Sequence, residues 1–196
     1  MAASNTIHSE PATAISIEFQ ITGPNHVLAS GCAAGLDAIG VAMMLLRCGL
    51  ASRALAVAVD LPLVPMLLDN YAASGILSSS FHPDPYGSGT DGFIPAEGAA
   101  AIAIELGRSA QPGIVHYVDP IGIPADGGRT PELFRAYGPL PVAVCPHATG
   151  TAVQRAADPA ALARSFRHEP FPSLHLLKPF VGHSIGASGL LESAIL

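Results

Sequence analysis

Three residues have the types and settings to do chemistry together: Cys32, His147 and His183. Cys32 follows a short stretch, His26 to Ser30, that reads as a strand. It precedes Ala33 to Cys48, a segment rich in Ala, Leu and Met and apolar nearly all round, the pattern of a helix buried in a core. A thiol at such a junction lies at the positive end of the helix dipole, where thiolate is favoured over thiol. The same junction offers backbone N–H groups to a developing oxyanion. Free cysteines are also common as small apolar core residues, so Cys32 gains weight from two histidine segments. Pro146-His147-Ala148-Thr149-Gly150-Thr151 and Gly182-His183-Ser184-Ile185-Gly186 each set a histidine at a strand end, before small, turn-forming residues. Such loops gather at one edge of an α/β sheet, where sites are usually built. His8, His26, His82, His116, His168 and His175 lack this setting and read as surface or core histidines. No His-x-x-His or similar spacing appears, so a metal ion held by the histidines is not expected; no bound cofactor is expected either.

The elements that must position these residues alternate. Ile15 to Ile21 is an ordered apolar stretch and Gly23-Pro24-Asn25 a turn. Gly49 closes the helix after Cys32, Arg53 to Val59 reads as a fully buried strand, and Leu63 to Ala73 as a helix after Pro62. Ser78 to Pro95 reads as an exposed loop, followed by a strand at Ala99 to Glu105. Further strands are expected around Ile114 to Val118, at Leu140 to Cys145 and near Leu174 to Leu177, with a loop through Gly127-Gly128. Helices are expected near Pro159 to Phe166 and from Ala187 onward. This alternation predicts an α/β fold, with residues 1–196 as a single domain.

Composition narrows the functional class. The chain has 196 residues, of which 49% are hydrophobic and only 12% charged, against about 25% charged in an ordinary soluble domain. Mean hydropathy is +0.43. So little charged surface fits burial against a partner and equally a small Ala- and Leu-rich domain. A net charge of -6, with Lys178 the only lysine and eight scattered arginines, argues against nucleic acid. Cys32, Cys48 and Cys145 form no CxxC pair and are odd in number, which favours a reducing, cytoplasmic setting. The N-terminus lacks the basic and apolar regions of a secretory signal. Ala38 to Leu46 is too short for membrane insertion, which takes roughly 20 residues.

Taken in order, the segments resemble the β-ketoacyl synthase family, the condensing enzymes of fatty-acid and polyketide assembly. Gly23-Pro24-Asn25 with Gly31-Cys32-Ala33-Ala34-Gly35 is similar to the family's nucleophile segment. Asp84 with Gly92-Phe93-Ile94-Pro95-Ala96-Glu97-Gly98 resembles the glycine- and glutamate-bearing stretch that follows it. The His147 segment and the Lys178 to His183 segment complete the series, with the lysine five residues before the second histidine, as in the family. The resemblance implies a thiolase-like α/β fold of the layered αβαβα type and a Cys-His-His mechanism. Cys32 would accept an acyl chain from a phosphopantetheine or coenzyme A thioester. His147 and His183 would bind the thioester carbonyl of a malonyl-type extender, whose decarboxylation gives the attacking enolate. Lys178 would orient and electrostatically support His147. An acyl carrier protein is the implied partner, and a homodimer, or a heteromer with a second synthase-like chain, the implied assembly.

Departures from the family pattern set the rival readings. The chain corresponds to about the middle half of a family domain, so the family's N-terminal strands and its C-terminal Phe- and Gly-rich loop are expected to be missing. Arg155 stands where the family places a carboxylate, eight residues after the first histidine, with Asp158 as a stand-in. Ala148 replaces the usual glycine and Ala34 a common serine. These departures keep open a non-catalytic, chain-length-factor-like partner subunit. A third reading is a hydrolase or plain acyltransferase that uses the same thiol without decarboxylation.

Overall fold

The computed structural model describes residues 8–80, 84–107, 143–166 and 170–196. The chain forms two compact units. One gathers Met1–Asp60, Gly98–Gln111 and Gly186–Leu196; the other gathers Leu61–Glu97 and Pro112–Ile185.

In the first unit, helix α1 (Glu10–Glu18) buries none of its residues. A 3₁₀ turn, Gly31–Ala33, leads directly into α2 (Ala34–Arg47). The helix is buried along one face rather than all round, with Ile39, Ala42 and Leu46 inside and Met44 exposed, and it ends where the sequence puts its stop signal. Gly49 takes a φ of 71°, which only glycine adopts without strain, and the Leu50 N–H bonds back to the Leu45 carbonyl at 2.9 Å. Strand β1 (Arg53–Asp60) then pairs antiparallel with β2 (Gly98–Glu105), Arg53 opposite Glu105 and Asp60 opposite Gly98. The unit closes with a 3₁₀ turn, Ile185–Ala187, and a helix, Ser188–Ile195.

The core of this unit is small because its residues are small. Ile39, Ala56, Ala58, Ala187 and Leu190 are buried together, with Ala100, Ile102 and Ile104 from alternate positions of β2 packed against them. Alanines on the strands let the two helices approach closely, and two glycines set how closely. A Cβ on Gly35 would lie 2.7 Å from the Leu190 backbone nitrogen, and one on Gly189 would lie 2.6 Å from Leu36 Cγ.

The second unit holds α3 (Pro65–Ala73), the two-residue parallel pair β3 (Ala143–Val144) and β4 (Ser173–Leu174), α4 (Ala152–Ser165) and the helical turn α5 (Lys178–Val181). The Ser188–Ile195 helix of the first unit is α6.

The expected helix after Cys32, the strand at Ala99 to Glu105 and the helix after Ala187 are present within a residue or two. Other expectations are corrected. His26 to Ser30 is not a strand, since no described segment supplies it a hydrogen-bonded ladder. The strand at Arg53 is buried on one face only, with Leu55 and Val59 exposed. The expected exposed loop at Ser78 to Pro95 is partly buried: Phe93 lies in the interior, and residues 81–83 fall outside the described chain. The helix expected from Pro159 begins seven residues earlier, at Ala152. Pro159 sits inside this continuous helix, which runs on through a residue that has no N–H to give its ladder. The strand expected at Leu174 to Leu177 shrinks to Ser173–Leu174. The strand around Ile114 and the Gly127-Gly128 loop lie outside the described residues, as do positions 140–142 of the strand at Leu140.

Two glycine-to-alanine substitutions in α2 test the packing account in opposite directions. Gly35→Ala must push α6 aside and is expected to cost about 1–3 kcal/mol. Gly40→Ala meets nothing within 4 Å and should add about 0.5–1 kcal/mol through helix propensity. Thermal unfolding reads both; a Gly35→Ala protein as stable as Gly40→Ala would contradict the close helix approach.

Candidate active site

Cys32 lies in the 3₁₀ turn that opens α2 in the first unit. Gly31, one residue before, takes a φ of 61°, so the turn that presents the thiol depends on glycine. Cys32 is half-buried and not part of a disulfide. Ser30 Oγ, one residue further back, donates to Asp37 in the first turn of α2. Beside this turn Asp60 Oδ2, at the end of β1, accepts the Gly186 N–H at 2.9 Å and so anchors the turn into α6.

The second unit brings His147, His183 and Lys178 together. His183 is held by its backbone: its N–H donates to Ile94 O at 2.7 Å, and its carbonyl accepts the Ala96 N–H at 3.1 Å. Gly182 makes this contact possible. It takes a φ of 74°, and a Cβ there would sit 2.5 Å from that of Ala96. The imidazole of His183 is buried. It meets Phe93 edge to face at 5.1 Å between ring centroids and His147 edge to face at 5.4 Å. Tyr71 of α3 backs Phe93 at 5.8 Å. Lys178, at the first position of α5, is only 6% exposed, which removes the ordinary surface lysine from consideration. With Pro85, Phe93, Ile94, Ala148, Thr149 and His183 it lines a small cavity.

The electrostatics follow from this burial. Desolvation first, and then the Lys178 charge, hold His147 down at about 4. The same causes in the same order, followed by His147 itself, hold His183 at about 2. Both imidazoles are therefore neutral across the physiological range, each with one N–H donor to offer.

Behind His147 stands a carboxylate. Ala148 takes a φ of 46°, a left-handed backbone that an L-residue other than glycine adopts only at a cost of about 1–2 kcal/mol. That conformation explains the family's glycine at this position. Here the turn is secured by Asp158, whose Oδ2 accepts the Ala148 N–H at 2.8 Å and lies 3.2 Å from the Tyr86 hydroxyl that donates to it. Asp158 is 3% exposed, and its carboxyl is pushed up by burial, while the Ala148 and Tyr86 hydrogen bonds and the Lys178 charge act in the opposite direction. The stand-in expected at Asp158 thus reaches the His147 turn, while Arg155 faces the loop at 87–90. Tyr86 was not singled out by sequence reasoning. The Asp-Pro-Tyr-Gly turn signal was visible, but its contact lies 72 residues away along the chain. Of the histidines set aside, His8, His26 and His175 are exposed, and His82, His116 and His168 lie outside the described residues.

The residues and their order recur in known proteins. The family model described as the β-ketoacyl synthase N-terminal domain matches residues 1–110. The tetracenomycin polyketide synthase ketoacyl synthase alpha subunit of Streptomyces glaucescens is 28% identical over 88% of this chain and 46% of its own length. A 3-oxoacyl-[acyl-carrier-protein] synthase 2 of Staphylococcus aureus is 30% identical over 65% of this chain and 32% of its own. Among solved structures, a ketosynthase bound to its hexaketide, in complex with a type II polyketide acyl carrier protein, superposes with a TM-score of 0.79 at 25% identity. It covers 95% of this chain and 52% of that one. The chain spans about half the length of the curated relatives it first matches. The fold is the expected α/β thiolase-like one, and by the family match over more than half of its residues the chain belongs to the β-ketoacyl synthase family.

Proposed function

We propose that this chain is a condensing acyltransferase in which Cys32 carries the acyl group and the neutral pair His147 and His183 serves the extender. The observation that carries the reading is the edge-to-face imidazole pair, kept uncharged beside a buried lysine. The Cys32 sulfur attacks the carbonyl of a phosphopantetheine or coenzyme A thioester. A carbon–sulfur bond forms to Cys32, the one to the carrier breaks, and the carrier thiol leaves with the proton. Backbone N–H groups at the start of α2 face the developing oxyanion. A malonyl-type thioester then loses carbon dioxide, and the electron pair left behind becomes an enolate whose oxygen the two imidazole N–H groups stabilise. The enolate carbon attacks the acyl-cysteine carbonyl, a carbon–carbon bond forms, and Cys32 departs as thiolate. Neutral imidazoles suit this work because they donate a hydrogen bond without surrendering a proton. Lys178 supports the pair electrostatically.

The acyl donor we propose is a carrier-protein thioester, supported by the acyl carrier protein seated on the solved ketosynthase relative. A heteromer with a second synthase-like chain is the proposed assembly, supported by the low charge of the chain and the alpha-subunit relative. No helix among the described residues is long and apolar enough to cross a membrane, and the cysteine usage supports a cytoplasmic setting. A non-catalytic, chain-length-factor-like subunit is the second reading, favoured by Arg155 in place of a carboxylate.

Incubation with an acyl thioester is expected to add the acyl mass to the wild type and nothing to Cys32→Ala. Equal labelling of both proteins, or of neither, would remove Cys32 as the acyl acceptor.

His147→Asn and His183→Asn should each lower malonyl decarboxylation by about 10²-fold or more, the scale of losing an oxyanion donor, while acyl loading of Cys32 persists. Because the higher of the two imidazole values is about 4, wild-type decarboxylation should hold at pH 5.5, where an unperturbed histidine would be about nine-tenths protonated. Stability carries the same sign. The unfolded imidazoles bind protons from about pH 6.5 downward while the folded ones resist to about 4, so the fold loses stability as pH falls through that window. An activity profile with an acid limb near 6.5 would contradict the buried, neutral pair.

A further inference from the structure

Arg155 is the residue at which this chain departs most sharply from its family, and the structure gives it a task. It is half-buried on α4, and its Nη1 donates toward three backbone carbonyls of one loop: Thr90 at 3.1 Å, Gly87 at 3.4 Å and Ser88 at 3.5 Å. Three residues on, along the same helix face, Asp158 accepts the Tyr86 hydroxyl from that loop. The loop is also knotted on itself. Asp84 Oδ1 accepts the Tyr86 N–H at 3.0 Å, and the Asp84 carbonyl accepts both the Gly87 N–H and the Thr90 hydroxyl. Gly150, just after the His147 turn, lies so close beneath it that a Cβ would sit 2.6 Å from Gly92 O and 2.7 Å from Thr90 Cγ2. Between Asp84 and Tyr86 stands buried Pro85, which lines the cavity shared by Lys178 and His183.

We propose that Arg155 and Tyr86 are positioning residues that staple residues 84–90 to one face of α4 and thereby hold the Pro85 wall of the imidazole cavity closed against water. The inference deepens the condensing reading and rests on it for its catalytic meaning; its structural content stands on the second unit alone. A guanidinium suits the task because it is always charged and presents its donors in a fixed fork, and backbone carbonyls turned toward one point need a cation or a donor to satisfy them. Tyr86 adds the second fastening at the other side of the loop. Its own hydroxyl proton is held firmly, first by burial and then by the adjacent Asp158 charge, so it remains a donor at every working pH.

The test is a proton-detected titration of the histidine side chains in the full chain, for wild type, Arg155→Gln, Arg155→Lys and Tyr86→Phe, with thermal unfolding to establish that each is folded. Wild-type His147 should titrate near 4. In Arg155→Gln and Tyr86→Phe water reaches the cavity, and His147 and His183 should both move up toward 6.5 by about one unit or more. Arg155→Lys, whose ammonium still presents three donors, should stay near the wild type. Folded Arg155→Gln and Tyr86→Phe proteins that titrate as wild type would overturn the proposal, and should Arg155→Gln fail to fold, Tyr86→Phe decides alone. Kinetics supply the second readout: malonyl decarboxylation should fall about tenfold in both variants while acyl loading of Cys32 stays within about twofold. Equal loss of both activities would assign the pair a general structural role and also overturn it. A wild type that neither loads nor decarboxylates would count against the condensing reading, and the titration would still judge the staple.

Discussion

A buried positive charge organises the second unit. Lys178 is the only lysine of the chain and lies in the interior beside two imidazoles and within electrostatic reach of Asp158. An ammonium taken out of water costs several kcal/mol even after relaxation, so what surrounds it cannot be arbitrary. Two histidines that would otherwise protonate near neutrality stay neutral, first because burial takes water from their charged forms and then because the Lys178 charge opposes a further positive charge beside it. The Asp158 carboxylate accepts a backbone N–H and a tyrosine hydroxyl. Each group limits the protonation state of its neighbours, and the left-handed turn at Ala148 is the local strain that this arrangement sustains.

The first unit solves a different problem, how to pack two helices against a two-stranded ladder built largely from alanine. Its answer is close approach. Gly35 and Gly189 remove the side chains that would separate α2 from α6, and Ala56, Ala58 and Ala187 fill what remains. The consequence for chemistry is that the start of α2, where Cys32 lies, is fixed from two directions: by the packing of Gly35 on α6 and by the hydrogen bond from Gly186 to Asp60. A side chain on such a rigid turn is held in its orientation by the fold itself.

Much of this was legible in the sequence where local signals coincide with the final structure. The helix after Cys32 has an apolar run and a glycine stop, and both are realised. The left-handed glycines at Gly150 and Gly182 sit in the histidine segments whose small residues marked them as turns. The lysine five residues before His183 was informative because a four-residue helical turn makes that spacing a matter of one short element. What was not legible depends on partners distant in the chain. His26 to Ser30 has the composition of a strand but no described ladder, and β composition reports a surface to pack rather than a backbone preference. The helix containing Pro159 was truncated in the reading because proline was weighed locally, whereas Gln154, Asp158, Ala161 and Leu162 bury a face that carries the helix through it. The role of Arg155 was hidden for the same reason: in sequence it is a missing carboxylate, and only the fold places three carbonyls of a loop more than sixty residues away within its reach.

The central claim is that the thiol and the neutral imidazoles serve one carbon–carbon bond-forming reaction. The most direct measurement is a single-turnover experiment in which protein already acylated at Cys32 is mixed with a malonyl thioester, and the β-ketoacyl product and carbon dioxide are quantified together. The account predicts equal amounts of the two and a Cys32 returned to free thiol, with both products lost in His183→Asn. Carbon dioxide without β-ketoacyl product, or release of the acyl group as free acid in place of the condensed product, would contradict it.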